Sequence, residues 1–295
     1  TLHMLVRRQK KSGRCDDRVC KDSGPRLCRS HRLESGHNRS AASYLSDTMQ
    51  LTKRFVKAKN PCTSGYKWFL KDHKGQGDYQ AVLDALVADG RIDDACWLLD
   101  QFGPTDAQLH VESVDAGAIV FAGTINVSMD INVDTLVRAG RSIKAGGGIR
   151  AGTAIIAGED IFSQGNVYSA GSIRAGGDIS ALWGIEALAK LDCGGNIRAK
   201  WEISAGEDIA ITGNAIAGQG MKAGGAIKCG QGIKSGGDVT AEKEISVASG
   251  IQAAESVICG SHLESGWGLK AGGDIVAEGS IRAGEGVEAG GKIEP

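Results

Sequence analysis

The sequence predicts a mainly β protein: a single-stranded β-solenoid of hexapeptide type, about ten coils of about 18 residues each, with a small N-terminal α-helical hairpin cap. Three observations predict it. From Ala116 to Pro295 the chain divides into 30 consecutive six-residue units with no insertion or deletion. The fourth position of the unit is Ile, Val, Leu or Met in 29 of the 30, the exception being Ala215. The sixth position is Ala, Ser, Cys or Val in 27, the exceptions being Phe121, Ile211 and Pro295.

Alternate residues of an extended segment face the same side, so positions four and six point inward and position five outward. Position five is charged in 15 of the 30 units, as a solvent-facing position should be. Positions one to three turn the corner, and they hold 36 of the 44 glycines. Glycine there is expected to permit positive φ and close approach of successive coils. Three hexads per coil give a triangular prism. Stacked at a strand spacing of about 4.8 Å, ten coils would make a rod roughly 45 to 50 Å long.

Residues 1–48 are rich in Arg, Ser and Cys, lack any helical or strand period, and read as a disordered basic segment. The change of composition at Met49 is what a translation start would produce, which would place 1–48 outside the native protein. Residues 1–60 carry 15 Lys/Arg against 5 Asp/Glu, a basic arm ahead of an acidic body. Such charge would draw nucleic acid or an anionic membrane surface alike. Without interleaved aromatics it points clearly to neither. Cys15, Cys20, Cys28 and His31 are the candidate metal ligands, four soft donors within 17 residues, although their spacing lacks paired short knuckles.

Residues 49–115 read as a small helical capping module. YKWFLK at 66–71 is expected to be a short amphipathic or β element, followed by a glycine-containing turn at Lys74 to Gly77. Asp78 is a plausible N-cap for a helix carrying Val82, Leu83, Leu86 and Val87, stopped by Gly90. A second helix runs from about Ile92 to Phe102, with Ile92, Ala95, Cys96, Leu99 and Phe102 on one face, ended by Gly103 and Pro104. The hairpin is expected to cover the first turn of the solenoid, with partner binding as its alternative role. Cys96 is expected to be a buried small residue.

Trp183 and Trp201 share a hexad position one 18-residue coil apart, so they should lie over one another at one corner, forming a candidate binding surface or a shield over a glycine groove. Trp267 has the same hexad position but falls on a different corner. Cys193, Cys229 and Cys259 occupy position six and are expected to be internal packing thiols. The recurring glycine strings are corners and do not read as phosphate loops, which need one glycine loop between a strand and a helix. No cofactor motif is found. No stretch has the roughly 18 apolar residues a membrane span needs, and a cytoplasmic location is expected.

The hexad resembles the repeat of left-handed β-helix proteins, many of them acyltransferases. That family usually sets its small residue two before the aliphatic one, whereas here Ala follows by two. The resemblance implies a histidine base, for which His262 in GSHLES is the sole candidate in the array. The strings at Ala175 to Ile179, Ala223 to Ile227 and Ala271 to Ile275 resemble the bactofilins, polymer-forming cytoskeletal proteins, and the GGDI repeats of the flagellar assembly protein A family. These imply a non-enzymatic scaffold. The register runs to GGKIEP without a following helix, so end-to-end self-association through the last coil is expected. The alternatives are an acyltransferase-like enzyme and a ligand- or protein-binding module on the solenoid wall or hairpin.

Overall fold

The structure is a computed structural model that describes residues 49–295. The expectations for residues 1–48, including the metal ligands Cys15, Cys20, Cys28 and His31, lie outside the described residues.

The helical module opens with strand β1 (Gln50–Thr52) and helices α1 (Lys53–Ala58) and α2 (Thr63–Asp72). Strand β2 (Gln76–Asp78), helix α3 (Tyr79–Ala88) and helix α4 (Ile92–Phe102) complete it. Strands β1 and β2 pair antiparallel. The hairpin expected from α3 and α4 is present and is joined by two further helices. YKWFLK lies inside α2: Cys62 Sγ caps that helix by accepting the Gly65 N–H, and Phe69 is buried. Asp78 caps α3 by accepting the Ala81 N–H at 3.1 Å. At the other end Gly90 takes φ +70, with Arg91 N–H bonded to Leu86 O at 2.8 Å and Gly90 N–H to Val87 O at 3.0 Å. This double closure satisfies two orphan carbonyls and demands a left-handed residue that glycine supplies without strain.

The solenoid begins ahead of the hexad register. Strands β3 (Gln108–Val111), β4 (Val114–Ala116) and β5 (Ile119–Phe121) each found one parallel sheet. Among the described residues the β3 and β4 sheets have 11 strands and the β5 sheet has 10. The first coil is tighter than the rest: Leu109 pairs with Ile125 and Val114 with Ile131. From Ile119, paired with Val137, every step is 18 residues. Positions four and six face inward along nearly the whole array, giving one continuous aliphatic core from Leu109 to Ala277. In the last coil Val287 and Ile293 are exposed.

Glycine's part in the corners differs in one respect from the sequence expectation. Among the described residues, positive φ occurs at Asn60, Lys74, Gly75, Gly90 and Gly103, and the glycines of the array do not use it. They are needed for close approach. A Cβ on Gly176 would run into the carbonyl oxygen of Gly158 one coil below, and a Cβ on Gly177 into Oδ1 of Asp160. Third-position side chains explain the second clash. Asp160 Oδ1 accepts the Asp178 N–H at 2.8 Å, Asp178 the Asn196 N–H at 2.6 Å, Asn196 the Asn214 N–H at 2.9 Å and Asn214 the Gly232 N–H at 3.1 Å. In the GGD of residues 176–178, then, the first glycine clears the backbone beneath and the second clears the side chain beneath. The aspartate holds the coil above.

The helical module packs sideways on the first coils of the β5 sheet. Val120, Ala122 and Leu136 are buried in the same cluster as Leu83, Leu86, Ala95 and Leu99. Strand β5 is the edge of its sheet, and Gln80 of α3 supplies the missing partner. Its Nε2 donates to Val120 O at 3.1 Å, and its Oε1 accepts from Ala122 N at 2.8 Å. One carboxamide thus replaces a strand's pair of backbone bonds at an otherwise unpaired edge. Arg138 pairs with Asp100 of α4, tying the module to the second coil, and Arg141 pairs with Asp106 of the segment between α4 and β3 at 2.6 Å.

Candidate functional site

The residues singled out in the array lie on all three corners of the prism. Trp183 and Trp201 precede Ile185–Ala187 and Ile203–Ala205 of the β4 sheet. Trp267 precedes Leu269–Ala271 of the β3 sheet, and His262 precedes Leu263–Ser265 of the β5 sheet. The fold does not bring the three positions together.

The tryptophan corner is the most developed surface. Backbone bonds carry it, Trp183 N–H to Gly165 O at 3.3 Å and Trp201 N–H to Trp183 O at 3.2 Å. The indoles stack with centroids 5.3 Å apart and planes 24° apart. Stacking leaves them 51% and 52% exposed, so the pair remains presented to solvent. The same corner position is glycine in the two coils below, Gly165 and Gly147, and glutamine in the coil above, Gln219. Beside it runs a groove of about 910 Å³ on the β4 sheet, lined among others by Asn132, Arg150, Tyr168, Glu186 and Trp201. The Arg150 guanidinium lies over the Tyr168 ring at 5.1 Å, an arrangement that holds both side chains in place. Asn166 commits Oδ1 to the Gly184 N–H at 2.9 Å, leaving its amide N–H groups as donors on the groove wall. Tyr168, Arg150 and Asn166 were missed in the sequence. Placing position-five and position-three residues on the 18-residue lattice would have set them beside the tryptophans.

A larger groove, about 1410 Å³, follows the β5 sheet past Arg138, Arg174, Asp192, Lys228, Glu264 and Arg282. Its charges are largely paired within the wall: Arg174 with Asp192 at 3.0 Å, Arg282 with Glu264 at 3.3 Å, and Lys228 with Glu244 at 2.7 Å. The Lys228 partnership raises that ammonium's pKa and lowers the Glu244 carboxyl's. The Ala226 N–H, and after it Lys190, lowers the Asp208 carboxyl.

His262 is exposed, and its Nδ1 lies 3.1 Å from the Ser280 backbone N–H and 3.1 Å from Ser280 Oγ. The imidazole is a rung of the third-position ladder, the place Asp or Asn holds elsewhere. Accepting the backbone N–H there makes Nε2 the protonated nitrogen of the neutral ring. Cys193, Cys229 and Cys259 are buried as expected. Cys193 Sγ donates to Gly177 O and Asn196 O, both at 3.3 Å, the pattern that Ser235 Oγ makes with Gln219 O and Asp238 O. Burial pushes all three thiols above their usual pKa. Cys96 is only half-buried, and burial is likewise the largest cause raising its thiol. Among the described residues no group of three or more His, Cys, Asp or Glu is placed to hold a metal ion. No helix among them is long and apolar enough to cross a membrane.

Residues 49–102 match the family model of the YdhT N-terminal domain. The match starts where the described residues begin and stops at the last residue of α4, so it covers the helical module and leaves the solenoid outside. No curated protein and no solved structure matches the chain.

Proposed function

We propose that the chain is a non-enzymatic structural or scaffolding rod whose helical module fixes one end and whose walls present regularly spaced side chains. The observation that carries this reading is the unbroken 18-residue pairing from Ile119 with Val137 to Ile275 with Ile293. Every coil is bonded to the next through three sheets and a polar corner ladder, a construction that holds length and shape. His262 supports the same reading, since its Nδ1 is engaged in that ladder. The bactofilin-like and flagellar-assembly-like strings fit a polymer-forming role, with self-association end to end. The unpaired internal thiols fit a reducing, cytoplasmic setting.

Sedimentation velocity of the full chain over a wide concentration range tests it. A high frictional ratio, with assemblies growing in length as concentration rises, is the expected result. A compact monomer at every concentration would remove the self-associating rod. The acyltransferase reading rests on His262, and a transferase activity abolished by His262→Ala would restore it in place of the scaffold.

A further inference from the structure

The helical module is divided by charge. Residues 53–74, which span α1 and α2, carry seven Lys/Arg against one Asp. Residues 78–100, which span α3 and most of α4, carry six Asp against one Arg. The fold uses the acidic half: Asp78 caps α3, Asp89 accepts the Trp68 indole N–H at 2.7 Å, Asp94 pairs with Arg91 and Asp100 with Arg138. It leaves the basic half alone. All seven cations of 53–74 are exposed, and none is in an ion pair with a described residue.

The packing explains the division. Helix α3 turns Gln80 toward β5 and, on its opposite side, Val82 and Leu86 toward Val56 of α1 and Phe69 of α2. Helices α1 and α2 therefore form the layer beyond α3, away from the solenoid. Lys67, Leu70 and Lys71 share one face of α2. The turn at Gly75 brings Lys53 of α1 against that leucine, since a Cβ on Gly75 would lie 3.0 Å from Lys53 Cβ and 3.1 Å from Leu70 Cδ2. Leu70, flanked by three lysines, is 39% exposed, and Phe55 of α1, next to Arg54, is 43% exposed.

Cations that ignore the protein's own carboxylates suit an external anion, and the apolar residues among them select its kind. Leucine adds nothing to a phosphate contact of nucleic acid, but it gains free energy on entering the boundary between lipid headgroups and acyl chains. Six of the seven cations are lysine, a hydrated point charge on a flexible stem, where fixed phosphates and base edges favour the planar fork of arginine. The half-buried rings of this layer are tied inward: the Tyr66 hydroxyl donates to Lys53 O at 3.3 Å, and Trp68 to Asp89.

We propose that the outer face of α1 and α2 docks on an anionic phospholipid bilayer. Leu70 and Phe55 enter the headgroup–acyl boundary, and Lys53, Lys67 and Lys71 lie against the anionic headgroups. The proposal stands apart from the scaffold reading, because a single rod would dock as an assembly does.

Co-sedimentation of the full chain with phosphatidylcholine vesicles, with and without about one third phosphatidylserine, tests the proposal. Binding to the anionic vesicles, weakened by salt and much reduced on phosphatidylcholine alone, is expected. Each surface lysine is worth about fivefold in such binding, so Lys67→Glu/Lys71→Glu should weaken it at least about tenfold. Leu70→Ser, which leaves the charge unchanged, should weaken it several-fold. Both positions are exposed, and unchanged melting would confirm folding. Lys222→Glu/Lys234→Glu makes the same charge change on the solenoid and should bind as the parent does. Absence of binding to the anionic vesicles at low salt would overturn the proposal, as would binding untouched by Lys67→Glu/Lys71→Glu or by Leu70→Ser. A single-stranded oligonucleotide run in parallel should show no dependence on Lys67 and Lys71. If it binds through them while the vesicles do not bind, nucleic acid replaces the bilayer as the partner. If instead the variant loses self-association and no vesicle binds, the face belongs to a second copy of the chain.

Discussion

Asp178 Oδ1 accepts the backbone N–H of Asn196, eighteen residues later, at 2.6 Å, and the Asn196 side-chain amide donates to the same oxygen at 3.2 Å. The bond links two coils at a corner, where the strand ladders leave off. Replacing Asn196 by Ala deletes this side-chain donor and the acceptor for the Asn214 N–H. A loss of about 1 kcal/mol is expected, the net worth of one or two exposed hydrogen bonds. Urea unfolding measures it, and hydrogen exchange should show the Asn214 amide opening faster while the Ile197 amide is little changed.

Gly177 and Asp160 form a steric pair that a double-mutant cycle can resolve. Gly177→Ala drives a methyl group into Asp160 Oδ1 and is expected to cost at least about 1 to 3 kcal/mol, the range for overpacking. Removing the carboxylate as well, in Asp160→Gly/Gly177→Ala, should recover at least about 0.5 kcal/mol relative to the sum of the single variants. Gly176→Ala meets the backbone of Gly158 and should show no such recovery.

Gln80 joins the helical module to the solenoid's edge. Gln80→Ala leaves the Val120 carbonyl and the Ala122 N–H without their partner in a half-buried setting, and about 1 to 3 kcal/mol should be lost. Gln80→Glu keeps the acceptor for Ala122 N–H but loses the donor to Val120 O. Its Ala122 amide should therefore exchange more slowly than in Gln80→Ala, although its stability falls below that of the parent.

The internal thiols give a pH dependence of known sign. Burial raises the pKa values of Cys193, Cys229 and Cys259, so the folded state favours their protonated form. Their contribution is fully present below the unfolded thiol value of about 8.5 and is lost as pH rises from there through the folded values. Urea midpoints of the parent should fall more steeply above pH 9 than those of a triple Cys→Ser variant. At neutral pH the serines at 193 and 229 can make the bonds Ser235 makes, and stability should stay close to the parent's. With a thiol reagent, Cys62, exposed on the helical module, should react at once and the three internal thiols only on unfolding.

Much of the wall was legible because its code is local and repeated. An aliphatic residue two before a small one sets inward and outward faces, and the stacking of Trp183 on Trp201 follows from a separation of one coil. The helix stops were readable for a similar reason, since the Asp78 cap and the Gly90 closure depend on neighbours in sequence. Other features depend on residues 16 to 18 apart or more, and no short window shows them. Strands β3 and β4 escaped because the first coil is shortened and carries no hexad signature. The bond from Gln80 to Val120 spans 40 residues and comes from a helix side chain with no pattern of its own. Tyr168 and Arg150 are position-five residues 18 apart, and only the lattice places one above the other.

The uniform 18-residue pairing also determines how the rod would yield under load. The ladder bonds of each coil run only to the coils before and after it, so tension on the C-terminus would strip the prism one coil at a time. Each step would release about 60 Å of extended chain, the reach of 18 residues. The coils packed against α3 and α4 would be the last to let go, giving the molecule a graded mechanical response in place of a single rupture.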